Sequence, residues 1–410
     1  MKMRWILTLA LVLAMLLPSA SLAGPMTYYL SPSLDGDDTE EIQAVFDEAA
    51  ANPGSTIEFA AGDYYLSDTI TAYNLSGNIR GAGSQETVLH TTTEVLFGLT
   101  VIPGIGPEGS DAVNAIMFRL FYEGDGLSLD WQGMGWDIEG DPEPYDHAWW
   151  GVPQTGMYPI WIEGVGEAPV LNTNWRDIRM TGRERPGFLT AVNLYAHFFH
   201  NVAGTHGITD SRYDTIDYGP AFFNASGAVI SIGGQRPKDQ VTARNTWVGA
   251  MFGQNAHTHI EVMNMRVWRE DTPRTSAGAA VQVQANNGNQ IHVSGLETSQ
   301  QSGVWMSIPG WATERSTLLV EHSTILPDPT LDYAGIELWD NLGGMTDIVI
   351  SNNRIMMQDP YWGGPIVLNG TQSALISNNI LSGRGPAAVW LGVFGMPTSG
   401  VVVKGNNVQG

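Results

Sequence analysis

Side chains that could do chemistry are concentrated between residues 244 and 321 of this 410-residue chain. In HIEVM, residues 259–263, apolar and polar residues alternate, which predicts a strand with one buried face and one outward face. The outward candidates of this region are His259, Glu261, His292, Glu321, Arg244 and Arg315. Such a set could act on a saccharide. Two carboxylates can flank a glycosidic oxygen, and a base beside a cation can support β-elimination from a uronate.

Two further interpretations of this set stay open. His257 and His259 alternate along the strand, with Glu261 two places further on, and such a trio can chelate a divalent metal from one strand face. A solvated polar face with no chemistry accounts for the same residues, because exposed strand faces are commonly polar. The pattern predicts the position of a site without choosing between catalysis, metal binding and solvation.

Aromatic and acidic side chains form a second candidate region within residues 131–150. Indole rings can stack on sugar rings, and packing beneath an insertion is the alternative. The tryptophans assigned to substrate binding are Trp131, Trp136, Trp149 and Trp150. Acidic residues alternate in the same region as Asp137, Glu139, Asp141, Glu143 and Asp146. Carboxylates at this density could bind Ca²⁺, but their order does not match an EF-hand loop, and a solvated acidic loop is the alternative.

A basic patch follows in an otherwise acidic chain. Its members are Arg176, Arg179, Arg183 and Arg185. Arginine binds carboxylates in a planar fork, so the patch could clamp an anionic sugar. Salt bridges to the neighbouring Asp177 and Glu184 are the simpler interpretation.

A sequence repeat must position all these side chains. The stretch IVISNNRI at 348–355 recurs as LISNNIL at 375–381 and as VVVKGNNV at 401–408. Apolar residues five places apart recur at steps of 26 to 30 residues, as Val262 and Val267, Ile291 and Leu296, Val320 and Ile325, Ile350 and Ile355, Ile376 and Leu381, and Val403 and Val408. Short alternating strands at this period, without helical periodicity, predict a parallel β-helix. Stacking at about 4.8 Å per rung would place His292 beside Glu321.

The polar residues between the two apolar positions of each repeat predict a corner of the solenoid. Asn264, Asn352 and Asn378 each stand two places after the first apolar residue of their copy. Asparagine tolerates left-handed backbone angles, and its amide can pair with the copy one rung away. We therefore expect these asparagines to be structural.

The N-terminal part predicts a short helix that caps the first rung. Asp38 precedes Glu41 by three places, as in a capping box. Apolar residues follow at helical spacing, namely Ile42, Val45, Phe46 and Ala49. The run continues from DDTEEIQAVFDEA through GSTIEFAAGDYYL to NIRGAGSQETVL, and residues 37–89 resemble the opening segment of pectate lyase-like right-handed parallel β-helix proteins. With the SNN rungs, the resemblance covers most of residues 30–410.

The resemblance implies an all-β, right-handed parallel β-helix without implying one activity. The superfamily includes lyases, hydrolases, epimerases, tailspikes and adhesins. The calcium-binding aspartates and the basic residue of pectate lyases have no identifiable counterpart in this chain. Gly204-Thr205-His206-Gly207 departs from the Gly-His-Gly signature of polygalacturonase-like hydrolases, and their Arg-Ile-Lys signature is absent. No family catalytic residue is therefore transferred.

The N-terminus and the composition predict an exported protein without disulfides. Residues 1–23 have the features of a secretory signal, with Lys2 and Arg4 before an apolar run and a Ser-Leu-Ala cleavage site before Gly24. No second apolar run of that length follows, so we expect no membrane span in the mature chain. The chain has no cysteine, which excludes disulfides and thiolate chemistry. A formal net charge of −23 makes nucleic acid a poor partner.

Together these features predict one solenoid domain over residues 24–410. We expect an N-terminal cap and first rungs at 24–97, a Gly/Pro/Trp-rich insertion at 98–165 and regular rungs at 166–410. The predicted function is binding to, or action on, an extracellular polysaccharide, as a lyase or a glycoside hydrolase if catalytic. A non-catalytic envelope or adhesion protein is the alternative. The last rung ends without a cap, so we also predict that a partner or further chain covers that end.

Overall fold

The computed structural model describes residues 24–34, 36–91, 99–102, 112–138, 156–183, 194–270, 278–284, 287–299, 302–308, 313–327, 334–340, 345–357, 364–383, 387–392 and 397–409. Residues 1–23 lie outside this set, so the signal segment and the exported location stay predictions. No helix within the described residues is long and apolar enough to cross a membrane.

The described strands form a parallel β-helix with three rows of stacked strands, which confirms the predicted fold class. Row 1 contains β1 (Thr27–Leu30), β2 (Ser55–Phe59), β5 (Gly77–Arg80), β9 (Leu127–Asp137), β11 (Leu171–Thr181), β13 (Thr205–Thr209), β16 (Val229–Gly233), β19 (His259–Met263), β22 (Gln290–Ser294), β25 (Ser316–Glu321), β28 (Met345–Ser351), β31 (Ala374–Ser377) and β34 (Val401–Lys404). Strands β9 and β11 are long and continue around a corner into row 2.

Row 2 contains β3 (Gly62–Leu66), β6 (Thr87–Thr91), β14 (Ser211–Asp214), β17 (Val241–Arg244), β20 (Arg266–Trp268), β23 (Glu297–Ser299), β26 (Thr324–Leu326), β29 (Arg354–Met356), β32 (Ile380–Ser382) and β35 (Asn407–Gln409). Row 3 is a separate sheet of β4 (Ile70–Tyr73), β7 (Leu99–Ile102), β8 (Ala112–Tyr122), β10 (Gly156–Gly164), β12 (Tyr195–His200), β15 (Tyr218–Phe223), β18 (Ala250–Gly253), β21 (Ala279–Gln284), β24 (Ser302–Ile308), β27 (Ile336–Asp340), β30 (Ile366–Asn369) and β33 (Val389–Leu391). The β7–β8 pair is antiparallel, unlike the rung-to-rung pairs.

Each rung passes from row 3 to row 1, turns a tight corner into row 2 and then returns to row 3. Strands β18, β19 and β20 illustrate this order, with only Asn264 and Met265 between β19 and β20. The connections from row 2 to row 3 vary from two residues between β23 and β24 to ten between β20 and β21, and those after β9 and β11 are longer. They include residues 139–155 between β9 and β10 and residues 184–193 between β11 and β12, which lie outside the described set. The longest connecting segments therefore flank row 3.

The interior is a stack of aliphatic side chains. The register partners in one column of row 1, none with exposed surface, are Val262, Val293, Val320, Ile350 and Ile376. The predicted alignment of Val262 with Ile291 is wrong by two residues, because Ile291 pairs with Ile260. Both apolar positions of β22 face inward, so this alternative register buries the same face.

The corner between rows 1 and 2 is made by residues in the left-handed region, as predicted. Asn264, Asn352 and Asn378 have φ angles of 50°, 57° and 57°. In the last rungs, however, the amide ladder is formed by the residue that follows the corner, namely Asn353, Asn379 and Asn406. Asn379 Oδ1 accepts hydrogen bonds from the backbone N–H of Asn353 at 2.9 Å and from its Nδ2 at 3.1 Å. The left-handed residue turns the chain, and its neighbour ties consecutive rungs together.

Helix α1 (Thr39–Ala51) covers the first rung, as predicted, and buries Ile42, Phe46 and Ala49. The predicted capping box is not formed, because the Asp38 side chain makes no cap hydrogen bond to the helix. Its carboxylate accepts hydrogen bonds from the backbone N–H groups of Ser33 at 2.6 Å and Tyr65 at 2.7 Å. Asp38 therefore connects the start of the helix to the neighbouring chain segments.

The region predicted as an insertion, residues 98–165, contains rung strands. Strand β8 pairs with β10 in row 3, and β9 pairs with β11 in row 1. Residues 103–111 and 139–155 lie outside the described set. Stacked rungs are therefore present before residue 166.

The last described rung has inward side chains that no further rung covers. Val403 is 49% exposed and Val408 is 61% exposed, whereas their register partners on the preceding rung, Ile376 and Leu381, have no exposed surface. The predicted covering of this end by a partner or further chain stays a prediction.

We expect the 410-residue chain to associate with increasing concentration in light scattering, because exposed apolar side chains and strand edges pair with one another. The double variant Val403→Lys/Val408→Lys should reduce this association. Val170→Lys, at a valine that is 41% exposed elsewhere on the surface, should leave it unchanged. A wild-type chain that stays monomeric at high concentration would contradict the prediction.

Candidate functional site

Row 1 brings together the four imidazole and carboxylate side chains predicted as one cluster. His292 is the register partner of Glu261, and not of Met263 as the alignment of Val262 with Ile291 implied. His259 Nε2 lies 3.1 Å from Glu261 Oε1, and His292 Nε2 lies 3.1 Å from Glu321 Oε1. All four side chains are 25–39% exposed. They form one polar patch across β19, β22 and β25, with each of these imidazoles engaged by a carboxylate.

The two arginines assigned to this cluster lie elsewhere. Arg244 belongs to row 2, where its guanidinium pairs with Asp214 at 2.9 Å and with Glu270 at 3.1 Å. Arg315 stands four places before the register partner of His292. At about 3.3 Å per residue, this separates it from the cluster by about 13 Å along the strand. Neither arginine therefore supplies the neighbouring cation that the β-elimination hypothesis requires.

The described residues contain no group of three or more histidine, aspartate or glutamate side chains that could hold a metal ion. His257 Nε2 pairs with Glu314 Oε2 at 2.8 Å. Asp137 Oδ2 pairs with Arg183 Nη2 at 3.1 Å. The other acids of the predicted calcium loop, Glu139, Asp141, Glu143 and Asp146, lie outside the described residues. Calcium binding there stays a prediction.

Trp131 and Trp136 are core residues, so their interpretation as sugar-binding residues is wrong. Both point inward from β9 and have at most 1% exposed surface. The ring of Trp131 stacks on Trp175 of the next rung, with 5.1 Å between centroids. Buried packing, the alternative interpretation, accounts for both residues. Trp149 and Trp150 lie outside the described residues.

The basic patch is divided between two rows. Arg176 lies in row 1 beside Gln132, whereas Arg179 lies in row 2 beside Arg212. Asp177, predicted to pair with these arginines, accepts hydrogen bonds from Ser84 Oγ at 2.6 Å and from Ser84 N at 3.2 Å. Glu184 and Arg185 lie outside the described residues. The described arginines thus do not form a single clamp on one face.

The outer face of row 3 carries a polar group that the sequence analysis did not identify. Arg119 of β8, Glu163 of β10 and His200 of β12 occupy outward positions on consecutive strands. Arg119 Nη2 donates to Glu163 Oε2 at 3.1 Å. Glu163 and His200 are direct register partners, which places their strands about 4.8 Å apart. An anchored carboxylate therefore lies next to an imidazole.

The surroundings of His200 favour its neutral form. Burial lowers the pKa of His200, and the negative charge of Glu163 offsets part of this effect. Asn224 Nδ2 lies 3.0 Å from His200 Nε2, so with the amide as donor this ring nitrogen is unprotonated. His200 Nδ1 is buried and has no hydrogen-bond partner among the described residues. At neutral pH the imidazole is therefore a base beside a carboxylate.

Apolar packing explains the burial of this group. A second apolar cluster, separate from the interior core, includes Tyr158, Trp161, Phe198, Tyr218 and Met251. Rings of this cluster stack from strand to strand, with 4.4 Å between the centroids of Trp161 and Phe198. The imidazole of His200 loses part of its hydration beside such rings, and this loss lowers its pKa.

Aromatic rings bracket the polar group along the stack. The Arg119 guanidinium lies 4.5 Å from the centroid of Phe121, and that ring stacks on Tyr73 at 4.9 Å. On the other side, Phe223 lies over Gly253, where an added Cβ would approach the ring to 2.4 Å. Flat rings in line with hydrogen-bonding groups are typical of surfaces that bind sugars.

The sequence contains a signal for this site that strand parity could have detected. In WIEG at 161–164 the outward Glu163 follows the inward Ile162, and in HFFH at 197–200 the outward His200 follows the inward Phe199, although His197 is also inward. The first stretch falls in the region assigned to an insertion, where no strand was expected. Its alternation was therefore not used.

Comparisons with known proteins give structural similarity only. No family model matches the chain, and no curated relative matches it. The Azotobacter vinelandii mannuronan C-5 epimerase AlgE6 A-module is 13% identical with a TM-score of 0.49, over 91% of this chain and 96% of that one. The Eubacterium ramulus GH136 lacto-N-biosidase is 10% identical with a TM-score of 0.46, over 99% of this chain and 71% of that one.

A GH87 α-1,3-glucanase catalytic domain is 14% identical with a TM-score of 0.42, over 93% of this chain and 69% of that one. At such identities and scores these proteins do not decide the activity. The function is therefore inferred from the chain's own geometry.

Proposed function

We propose that this protein binds an extracellular polysaccharide along the outer face of row 3 and acts on it at Arg119, Glu163 and His200. The observation that carries the proposal is the neutral imidazole of His200 in direct register with the anchored carboxylate of Glu163. Row 3 runs along the solenoid axis at about 4.8 Å per rung. The rings in this line that are at least partly exposed, Tyr73, Phe121 and Phe223, could contact an extended sugar chain beside the polar groups.

The two groups can divide acid–base work. Glu163 accepts a hydrogen bond from the guanidinium of Arg119 at 3.1 Å, which fixes the position of the carboxylate. His200 is a neutral imidazole at neutral pH, and its Nε2 would accept a proton from a sugar or from an attacking water in place of the hydrogen bond from Asn224. The charge that develops on the imidazole would be stabilised by Glu163. This arrangement serves a lyase or a hydrolase, and the products distinguish the two.

The row 1 cluster is the alternative site. Its imidazoles are both paired with carboxylates at 3.1 Å, and the arginines predicted beside it lie elsewhere. Row 1 therefore offers a matched comparison, since it also presents a histidine and a glutamate across neighbouring strands. The non-catalytic adhesion hypothesis predicts no turnover at either site.

The test is incubation of the purified chain with a panel of neutral and acidic glycans, followed by reducing ends and absorbance at 235 nm. We expect turnover of at least one glycan. His200→Gln and Glu163→Gln should lower kcat by roughly 100-fold or more, since a positioned acid or base contributes 10²–10⁴-fold. His292→Gln and Glu321→Gln should change kcat less than about threefold. Activity should persist below pH 6.5, because the pKa of His200 is lowered.

The opposite pattern would place the chemistry on row 1. Turnover that survives in His200→Gln and Glu163→Gln but is lost in His292→Gln would contradict the assignment. Silence of the folded wild-type chain across the whole panel would favour the adhesion hypothesis.

A further inference from the structure

A second group of side chains lies on the outer face of row 3, toward its C-terminal end. Trp305 of β24 is the register partner of Glu337 of β27. Trp339, two places further along β27, is the register partner of Ser307 on one side and of Asn369 on the other. The two indoles thus stand diagonally across two strands, about 7–8 Å apart at their Cβ atoms. This spacing is close to the width of one sugar ring.

The carboxylate between these indoles is half-buried. Glu337 Oε1 accepts a hydrogen bond from Trp339 Nε1. Burial raises the pKa of Glu337, and the hydrogen bond from Trp339 opposes this effect. The acid therefore holds its proton to higher pH than an exposed glutamate and can donate to a hydroxyl as well as accept from one.

The side-chain amide of Asn369 lies on the strand next to Trp339 and lacks hydrogen-bond partners among the described residues. Asn369 is fully buried, and neither Oδ1 nor Nδ2 has a hydrogen-bond partner among the described residues. A buried amide without partners costs about 1–3 kcal/mol for each lost hydrogen bond.

The charges on this face argue against an acidic sugar. Arg119 is the only lysine or arginine in the described strands of row 3, and its guanidinium binds Glu163. A uronate at the tryptophan pair would face Glu337 with no described row 3 cation beside it. The formal net charge of −23 repels polyanions further.

We propose that Trp305, Glu337 and Trp339 bind an uncharged sugar ring of the glycan that lies along row 3. The inference rests on the proposed function and specifies its substrate class as a neutral polysaccharide. The indoles hold the faces of the ring, and Glu337 binds a hydroxyl. From β10 to β27 the stack advances six strands, about 29 Å at 4.8 Å per strand, so the bound chain spans several sugars.

Calorimetric titration of the 410-residue chain with laminarin, xyloglucan and dextran, and with alginate and polygalacturonate, tests this inference. At least one of the neutral glycans should bind more tightly than either polyuronate. Trp339→Ala and Trp305→Ala should each weaken that binding about tenfold, because lost ring stacking is worth on the order of 1 kcal/mol. Trp268→Ala provides the matched control, since Trp268 is a partly exposed tryptophan of row 2 that packs on Arg266 at 5.0 Å.

Unchanged affinity in both folded tryptophan variants, with near-ultraviolet circular dichroism confirming the fold, would overturn the inference. Tighter binding of alginate or polygalacturonate than of every neutral glycan would overturn it as well. Either result leaves the proposed function intact if His200→Gln still abolishes turnover. Loss of affinity in Trp339→Ala together with full turnover in His200→Gln would support the binding site while rejecting the catalytic assignment.

Discussion

Acidification from pH 7 to pH 4 should destabilise this protein by several kcal/mol, and replacing His197 and His206 should remove most of that loss. Both imidazoles are fully buried inside the solenoid. Burial lowers the pKa of His197 to about 3 and that of His206 to about 4. The unfolded chain binds these protons near pH 6.5.

The sign of the effect follows from these values. Above pH 6.5 both imidazoles are neutral in the folded and the unfolded chain, so no stability is lost there. Below pH 6.5 the two imidazoles become protonated in the unfolded chain but stay neutral in the folded chain. The free energy of unfolding therefore falls until the pH reaches the folded pKa of each imidazole. One pH unit of difference is worth about 1.4 kcal/mol, so each histidine costs about 3 kcal/mol at pH 4.

The local contacts explain why these rings cannot be solvated in the fold. Neither ring nitrogen of His197 has a hydrogen-bond partner in the described part of the chain, and the ring packs edge-on against Trp175 with 4.8 Å between centroids. His206 Nδ1 lies 3.1 Å from Thr173 Oγ1, while its Nε2 has no partner. A proton on either ring would bring an uncompensated charge into an apolar interior.

Unfolding in guanidinium chloride at pH 7.5, 6, 5 and 4 would measure how the free energy of unfolding depends on pH. The double variant His197→Phe/His206→Phe should show a much flatter dependence of unfolding free energy on pH than the wild type. His257→Gln removes a histidine that is 53% exposed and should leave the wild-type dependence in place. A double variant as acid-sensitive as the wild type would refute the assignment to these two residues.

Replacing Asn379 by alanine should cost about 3 kcal/mol or more, an unusually large loss for one polar side chain. Its Oδ1 accepts from the backbone N–H and the side-chain amide of Asn353. Its Nδ2 donates to Ile350 O at 2.9 Å and to Asn406 Oδ1 at 2.9 Å. Truncation removes these four hydrogen bonds to the two neighbouring rungs and leaves the buried backbone N–H of Asn353 without its acceptor.

The adjacent residue offers a matched control. Asn378 is exposed and has a φ of 57°, a conformation that glycine adopts without strain. Gly405 occupies the equivalent corner of the next rung with a φ of 64°. Asn378→Gly should therefore change the unfolding free energy by less than about 1 kcal/mol. Equal losses in the Asn379→Ala and Asn378→Gly variants, measured by urea unfolding, would contradict the division of roles between the two asparagines.

The local sequence pattern was sufficient to predict the solenoid fold and the left-handed corners between its strands. Alternation in IVIS and HIEV predicts strands with one buried face, and the SNN letters predict the left-handed turn, because both properties depend on neighbouring residues only. The cluster of His292 and Glu321 was also accessible, since strand parity assigns both to the outward face. Strand parity did not predict which residue of the neighbouring rung each of them pairs with.

Only the tertiary structure decided the register and brought together the residues of the proposed row 3 site. Ile291 and Val293 both point inward, so registers two residues apart bury the same surface, and contacts with the next rungs choose between them. Trp131 is buried because its strand belongs to the stack, a fact that depends on pairing with β11. Glu163 and His200 are dozens of residues apart, and their pairing in register depends on a connecting segment whose length the repeat does not specify. Local alternation thus determines which side of a strand a residue faces, while long-range pairing alone determines its neighbours.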